Sequence, residues 1–171
     1  MIRQLAQENI VLLQQGIDLV RQLNDAQFRY EDDIARSSIG KHLRHILDFY
    51  TAFFRNMPAS PDELHQIDYD RRHRDPVLET ERPQLCRKAE DTQLRLAKLE
   101  RDSLAEVASC EGLRNFPSVA KSHRTRELQF LLGHTVHHYA LITMTLRLQQ
   151  LEVPKDFGIA CSTRLYLQNQ A

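Results

Sequence analysis

The stretch ELQFLLGHTVHHYALITMTL, residues 127–146, sets His134, His137 and His138 into an otherwise apolar run. Each helical residue advances by roughly 100°, so residues four apart share a face. On that wheel Phe130, Leu131, Leu141, Ile142, Thr145 and Leu148 fall within about 80° of His134. His138 lies about 40° round, inside the apolar stripe, and His137 about 60° off on its flank. Two imidazoles one turn apart therefore point inward. Buried without partners, each ring would cost about 1–3 kcal/mol. A divalent metal removes much of that cost, because neutral imidazole is among the commonest metal ligands. His-x-x-x-His is also the spacing by which one helix offers two ligands to one ion. Alone the pair is weak evidence, since hydrogen-bonded core or surface histidines fit the same pattern.

A second stretch repeats the anomaly. SIGKHLRHILDFY, residues 38–50, places His42 and His45 beside Ile39, Leu43, Ile46, Phe49 and Tyr50. Sites inside helical bundles are assembled from side chains on facing helices, so a third ligand from here is geometrically reasonable. His42 lies nearer the centre of this apolar stripe and His45 at its edge, and the wheel does not choose between them.

Other residues could support such a site. Glu127 falls about 20° from His134, two turns upstream, where it could orient an imidazole, act as a base, or simply pair with an arginine in the first helical turn. His137 could donate from behind the ligands or sit at the helix boundary against water. Tyr50 and Tyr139 could present hydroxyls, although each also reads as packed aromatic core. The loop DYDRRHRD, residues 68–75, could clamp an anionic substrate end through Arg71, Arg72, His73 and Arg74. Its own Asp68, Asp70 and Asp75 could equally neutralise it.

Four long helical patterns must position these residues. The first runs from about Ile2 to Leu23, and the second follows a cap at Ser37 or Ser38. Met57-Pro58 and Ser60-Pro61 close it. The charged segment with Pro76 and Pro83 reads as an ordered loop with a helical turn. A third helix is expected from Pro83 to Ala108, with proline tolerated in its first turn. Gly112 and Pro117 break the period, and a short irregular or hairpin insert is expected before the last helix, which Thr125 could cap. That helix should continue to about Gln150, and the tail LEVPKDFGIACSTRLYL should pack. The expected fold is all-α, a four-helix bundle in a single domain spanning residues 1–171.

Composition bounds the function classes. The 23 basic and 23 acidic side chains balance, so no overall charge draws the chain to nucleic acid or a membrane surface. No basic stripe with stacking aromatics is present. No apolar run reaches the roughly 20 residues needed to span a bilayer, and the first residues lack a signal-peptide pattern. Cys86, Cys110 and Cys161 have no C-x-x-C spacing, and are expected as reduced thiols in the cytoplasm rather than zinc ligands. Cys161, in a C-terminal flap, could approach a metal, but an inert thiol is the simpler reading.

SIGKHLRHILDFY and RELQFLLGHTVHHYALI, with DYDRRHRD and FGIACSTRLY more loosely, resemble the DinB/YfiT-like family of metal-binding four-helix bundles. The first and third helices match only as generic amphipathic helices. The resemblance implies one histidine from the second helix, corresponding to His45, and a pair from the last, His134 and His138. Together these would hold a divalent metal, commonly zinc, nickel or iron, with open positions. Three neutral imidazoles would leave an electrophilic ion able to lower the pKa of bound water or take up a thiolate. Structural zinc sites usually close with four protein ligands, so three histidines lean towards chemistry.

The resemblance further implies a metal-dependent enzyme that activates a low-molecular-weight thiol, or water, for transfer to a small electrophile. A metal-dependent hydrolase is the nearest alternative, and a non-catalytic, metal-stabilised interaction module comes from another class. A homodimer is also expected, with Val11, Leu12 and Leu13 as surplus apolar surface on the first helix.

Overall fold

Ile2–Gln22 form α1, whose inward residues Leu12, Leu13, Ile17, Leu19 and Val20 recur at helical spacing and are buried. The computed structural model to which this helix belongs describes residues 1–31, 33–34, 36–60, 62–109, 118–160, 163, 166–167 and 169–170. The polar stretch after α1 holds a short helix, α2 (Asp25–Arg29). Asn24 Oδ1 accepts from the Gln27 N–H while Gln27 Oε1 accepts from the Asn24 N–H, a reciprocal cap that starts the helix whose Phe28 is buried in the core. Of the two serines ahead of α3 (Ile39–Arg55), Ser38 is the cap, its Oγ accepting from the Lys41 N–H at 3.1 Å. In the charged connection that follows, β1 (His65–Asp68) precedes the expected helical turn, α4 (Val77–Thr80).

The third long helix, α5 (Arg82–Ala97), stops at Ala97 rather than Ala108. Its inward positions Leu85, Ala89, Thr92 and Leu96 keep helical spacing, but Glu100, Arg101 and Asp102 supply nothing apolar to continue the stripe. The chain instead enters β2 (Leu104–Ser109), which pairs in parallel with β1 and antiparallel with β3 (Ser118–His123). His65 lies opposite Ala105, and Leu104 opposite His123. The all-α expectation is therefore corrected: the chain is mostly helical with a small three-stranded sheet. Strand formation depends on finding backbone partners, and β1 is a partner distant in sequence that no local pattern announces. The expected hairpin is present as β2 and β3, although Cys110, Gly112 and Pro117 lie outside the described residues.

The last helix, α6 (Arg124–Leu148), carries no side-chain cap from its own N-terminal neighbours. Thr125 does not cap it. Its N–H donates instead to Asp102 Oδ1 at 3.0 Å, so a carboxylate from the end of the α5–β2 connection serves the helix start.

Among the long helices, α1 lies against α5 and α6, and α3 against α6 and α5. Ile17, Ile46, Phe53, Leu85, Leu96, Leu128 and Ile142 meet in one apolar core. Polar groups are built into it, Asn9 among them. Asn9 Nδ2 donates to the Leu5 and Leu128 carbonyls at 2.7 and 3.1 Å, while Asn9 Oδ1 accepts from the Tyr50 hydroxyl at 2.6 Å. This fully buried amide ties α1, α3 and α6 together, with each of its bonds satisfied. Nearby, the Tyr139 hydroxyl donates to the Leu12 carbonyl at 2.6 Å and sits directly over Gly16, where a Cβ would collide with it. Part of the tail packs as expected, Phe157 stacking on Tyr139 with centroids 4.3 Å apart. Cys161 lies outside the described residues. No helix among them is long and apolar enough to cross a membrane.

Candidate metal centre

The apolar faces of α3 and α6 are pressed together, and residues at the edge of that contact meet across it. His45 comes from α3, and His134 and His138 come from successive turns of α6. One ring nitrogen from each lies within 4.8 Å of the others. Ring centroids are 4.6 Å apart for His45–His138 and for His134–His138, and 5.1 Å for His45–His134. A single ion can be shared by three donors so arranged. His134 Nε2 is shielded from solvent and has no hydrogen-bond partner. Such a nitrogen costs about 1–3 kcal/mol if left orphaned, and a metal is a partner that would relieve it. The donor set, three imidazoles without a carboxylate, suits a divalent transition metal better than magnesium or calcium.

Aromatic rings wall the cluster. Phe49 lies 4.1 Å from the His134 ring and 4.9 Å from His45, and Phe130 lies 5.7 Å from His134. Tyr69 stacks on Phe49 at 5.2 Å. Burial against this wall dominates the electrostatics. It lowers the His45 and His134 pKa values to about 4, helped for His45 by His134 and Arg72, and for His134 by His137 and Arg72. His138 falls to about 3, through burial first and then the neighbouring rings of His134, His45 and His42. All three rings are therefore neutral at physiological pH, the form that a metal requires.

His42 does not join the three. Its Nδ1 lies 3.1 Å from His138 Nδ1, and one of the two must carry the proton while the other accepts. That contact leaves His138 Nε2 as the nitrogen free for the cluster. His42 thus stands behind one of the three candidate ligands, where a shared proton can hold the His138 ring plane. His137 is on the exposed flank of α6, its ring 5.2 Å from His138.

The remaining candidates are placed elsewhere. Glu127 is fully buried, but its oxygens accept from the Tyr69 hydroxyl at 2.9 Å, Ser122 Oγ at 2.5 Å and Arg126 Nη1 at 2.9 Å. It anchors Tyr69, and through it the aromatic wall, rather than an imidazole. The hydroxyls of Tyr50 and Tyr139 are engaged in the core with Asn9 and the Leu12 carbonyl. Cys86 is half-buried on α5, away from the three histidines, and burial pushes its thiol up.

The loop at 68–75 behaves in a way its composition hides. Asp68 Oδ1 accepts from the Asp70 and Arg71 N–H groups, and its other oxygen pairs with Arg71 at 3.4 Å. Asp75 Oδ1 accepts from the Val77 N–H at the start of α4. Arg72 turns the other way, its guanidinium 4.5 Å above the Phe49 ring. Sequence reasoning also passed over Arg44, which bridges Asp48 at 2.5 Å and Glu79 at 3.0 Å. The i, i+4 spacing of Arg44 and Asp48 was the available signal.

Fold and site together define a mostly helical protein with a histidine cluster able to take a divalent ion. The profile of the DinB superfamily matches residues 14–142, a span that contains all three histidines, and the chain belongs to that superfamily. Comparison with curated proteins and with solved structures gave no significant match.

Proposed function

We propose that α1, α3, α5 and α6 form a four-helix bundle of the DinB type whose His45, His134 and His138 hold a divalent ion. The protein is then a metal-dependent enzyme acting on a small electrophile, with a thiol or water as nucleophile. The observation that carries this reading is the convergence of three half-buried imidazoles from two helices, one with a solvent-shielded, orphaned nitrogen. When bound, zinc, nickel or iron would supply Lewis acidity, which lowers the pKa of a thiol or water.

The chain's own residues have separate tasks. Burial keeps His45, His134 and His138 unprotonated, so each offers a lone pair. His42 holds the His138 ring in one orientation. Phe49, Phe130 and Tyr69 exclude water from one side, which strengthens every charge interaction inside. The proposal extends to a single domain of residues 1–171, a cytoplasmic location and a homodimer. For the dimer, α1 offers Val11, which is 44% exposed, whereas Leu12 and Leu13 are used within the chain.

Elemental analysis of protein purified without a metal-affinity step tests the reading. About one divalent ion per chain is expected, as for a single three-histidine site. His134→Ala and His138→Ala should each lose it. Dialysis against a chelator separates the roles: activity lost with the fold retained indicates catalysis, and unfolding indicates a structural ion. A metal-free preparation whose stability does not change on adding zinc, nickel or iron would sink the proposal.

A further inference from the structure

Arg72 of the 68–75 loop sits over an aromatic ring that borders the histidine cluster, and among the described residues no carboxylate forms an ion pair with it, although the Asp48 carboxylate feels its charge. Its guanidinium lies 4.5 Å over Phe49, the ring that is itself 4.1 Å from His134 and 4.9 Å from His45. Its charge is felt at both of those histidines. No carboxylate among the described residues comes within salt-bridge distance of it, and its Nε, shielded from solvent, has no hydrogen-bond partner. The nearby acids are engaged. Asp48 and Glu79 are paired with Arg44, Asp68 with Arg71, and Asp75 with the backbone of α4.

We propose that Arg72 binds a carboxylate carried by the small molecule that approaches the His45–His134–His138 cluster. The inference rests on the metal reading above and adds a substrate class to it. Three neutral imidazoles leave a divalent ion's charge uncompensated, and Arg72, over the adjoining Phe49 ring, adds a further positive charge nearby. Such a site favours an anionic ligand over a neutral one. A guanidinium matches a carboxylate through two parallel hydrogen bonds, and a lone arginine balances one negative charge, whereas a phosphate dianion calls for more. Stacking on Phe49 holds the guanidinium in place before the ligand arrives, which reduces the entropy lost on binding.

The probes are 3-mercaptopropionate and its neutral amide, titrated into the cobalt-loaded protein and read by the thiolate-to-cobalt charge-transfer band. The acid should bind about tenfold more tightly than the amide, the size expected of one charge-assisted contact. In Arg72→Met that preference should vanish, while the affinity for the amide stays within about twofold because no neutral contact is lost. Arg72→Lys, which keeps the charge and loses the fork, should fall between them. The comparison of acid with amide on the natural chain needs no variant and stands if either variant misfolds. Equal binding of the two, or a preference that survives in Arg72→Met, overturns the carboxylate anchor alone. Failure to take up cobalt at all overturns the metal reading and the anchor with it.

Discussion

Replacing His42 by alanine tests whether the fourth histidine positions a ligand or is one. In the native chain its Nδ1 lies 3.1 Å from His138 Nδ1, and its only close ring contact among the described residues is with His138. If His138 holds the ion through Nε2, its Nδ1 carries the shared proton, and truncation leaves that proton without an acceptor in a half-buried setting, an expense of about 1–3 kcal/mol. It also frees the ring to rotate away from the orientation that aims Nε2 at His45 and His134. Loss of a partner behind a metal-binding histidine typically weakens metal binding by about 10–100-fold, or roughly 1.4–2.7 kcal/mol. The assay is competition for zinc against a colorimetric chelator at pH 7.5, with circular dichroism to check the fold. His42→Gln, which retains a side-chain acceptor, should recover part of the affinity. Affinity within about twofold of the native chain would show that His138 needs no such support. A loss as complete as that of His138→Ala would make His42 a direct ligand. Either result refutes the division of roles drawn from the geometry.

Other outcomes follow from the same structure. Burial lowers the pKa values of His45 and His134 to about 4 and of His138 to about 3, against 6.5 for an unhindered ring. The unfolded chain then binds more protons below pH 6.5, so metal-free protein should lose stability as pH falls from 6.5 towards 4. Urea midpoints at pH 7.5, 6 and 5 measure this, and a flat profile would contradict it. Asn9→Ala should destabilise by about 1–3 kcal/mol, because the Leu128 carbonyl loses its side-chain donor and the Tyr50 hydroxyl keeps only Thr135, at 3.3 Å. Thermal melting of the Asn9→Ala and Tyr50→Phe single and double variants should reveal coupling between the two positions. Gly16→Ala places a methyl group against the Tyr139 hydroxyl and should cost about 1–3 kcal/mol, with the Tyr139→Phe background relieving part of the loss.

The helices could be read locally because the forces that make them are local. Apolar spacing in α1, α3 and α6, the Ser38 cap and the proline in the first turn of α5 are all contained within short windows of sequence. The sheet could not be read in the same way. β1 pairs with β2 across the whole of α5, and α6 takes its cap from Asp102, 23 residues upstream of the N–H it serves. These contacts exist only once the chain has folded back on itself.

The histidines show the same division. Residue spacing placed His134 and His138 on one face of one helix and offered both His42 and His45 from another, because helical periodicity fixes direction around an axis. Periodicity says nothing about how two axes lie against each other. The packing of α3 on α6 is what brings the edge residue His45 within 4.8 Å of the pair and sets the more central His42 behind His138. Composition likewise announced the charges of the 68–75 loop without their partners. Asp68 turned to the backbone and to Arg71, Asp75 turned to the backbone, and the geometry left Arg72 over Phe49, because side-chain pairing is decided by three-dimensional reach rather than by order along the chain.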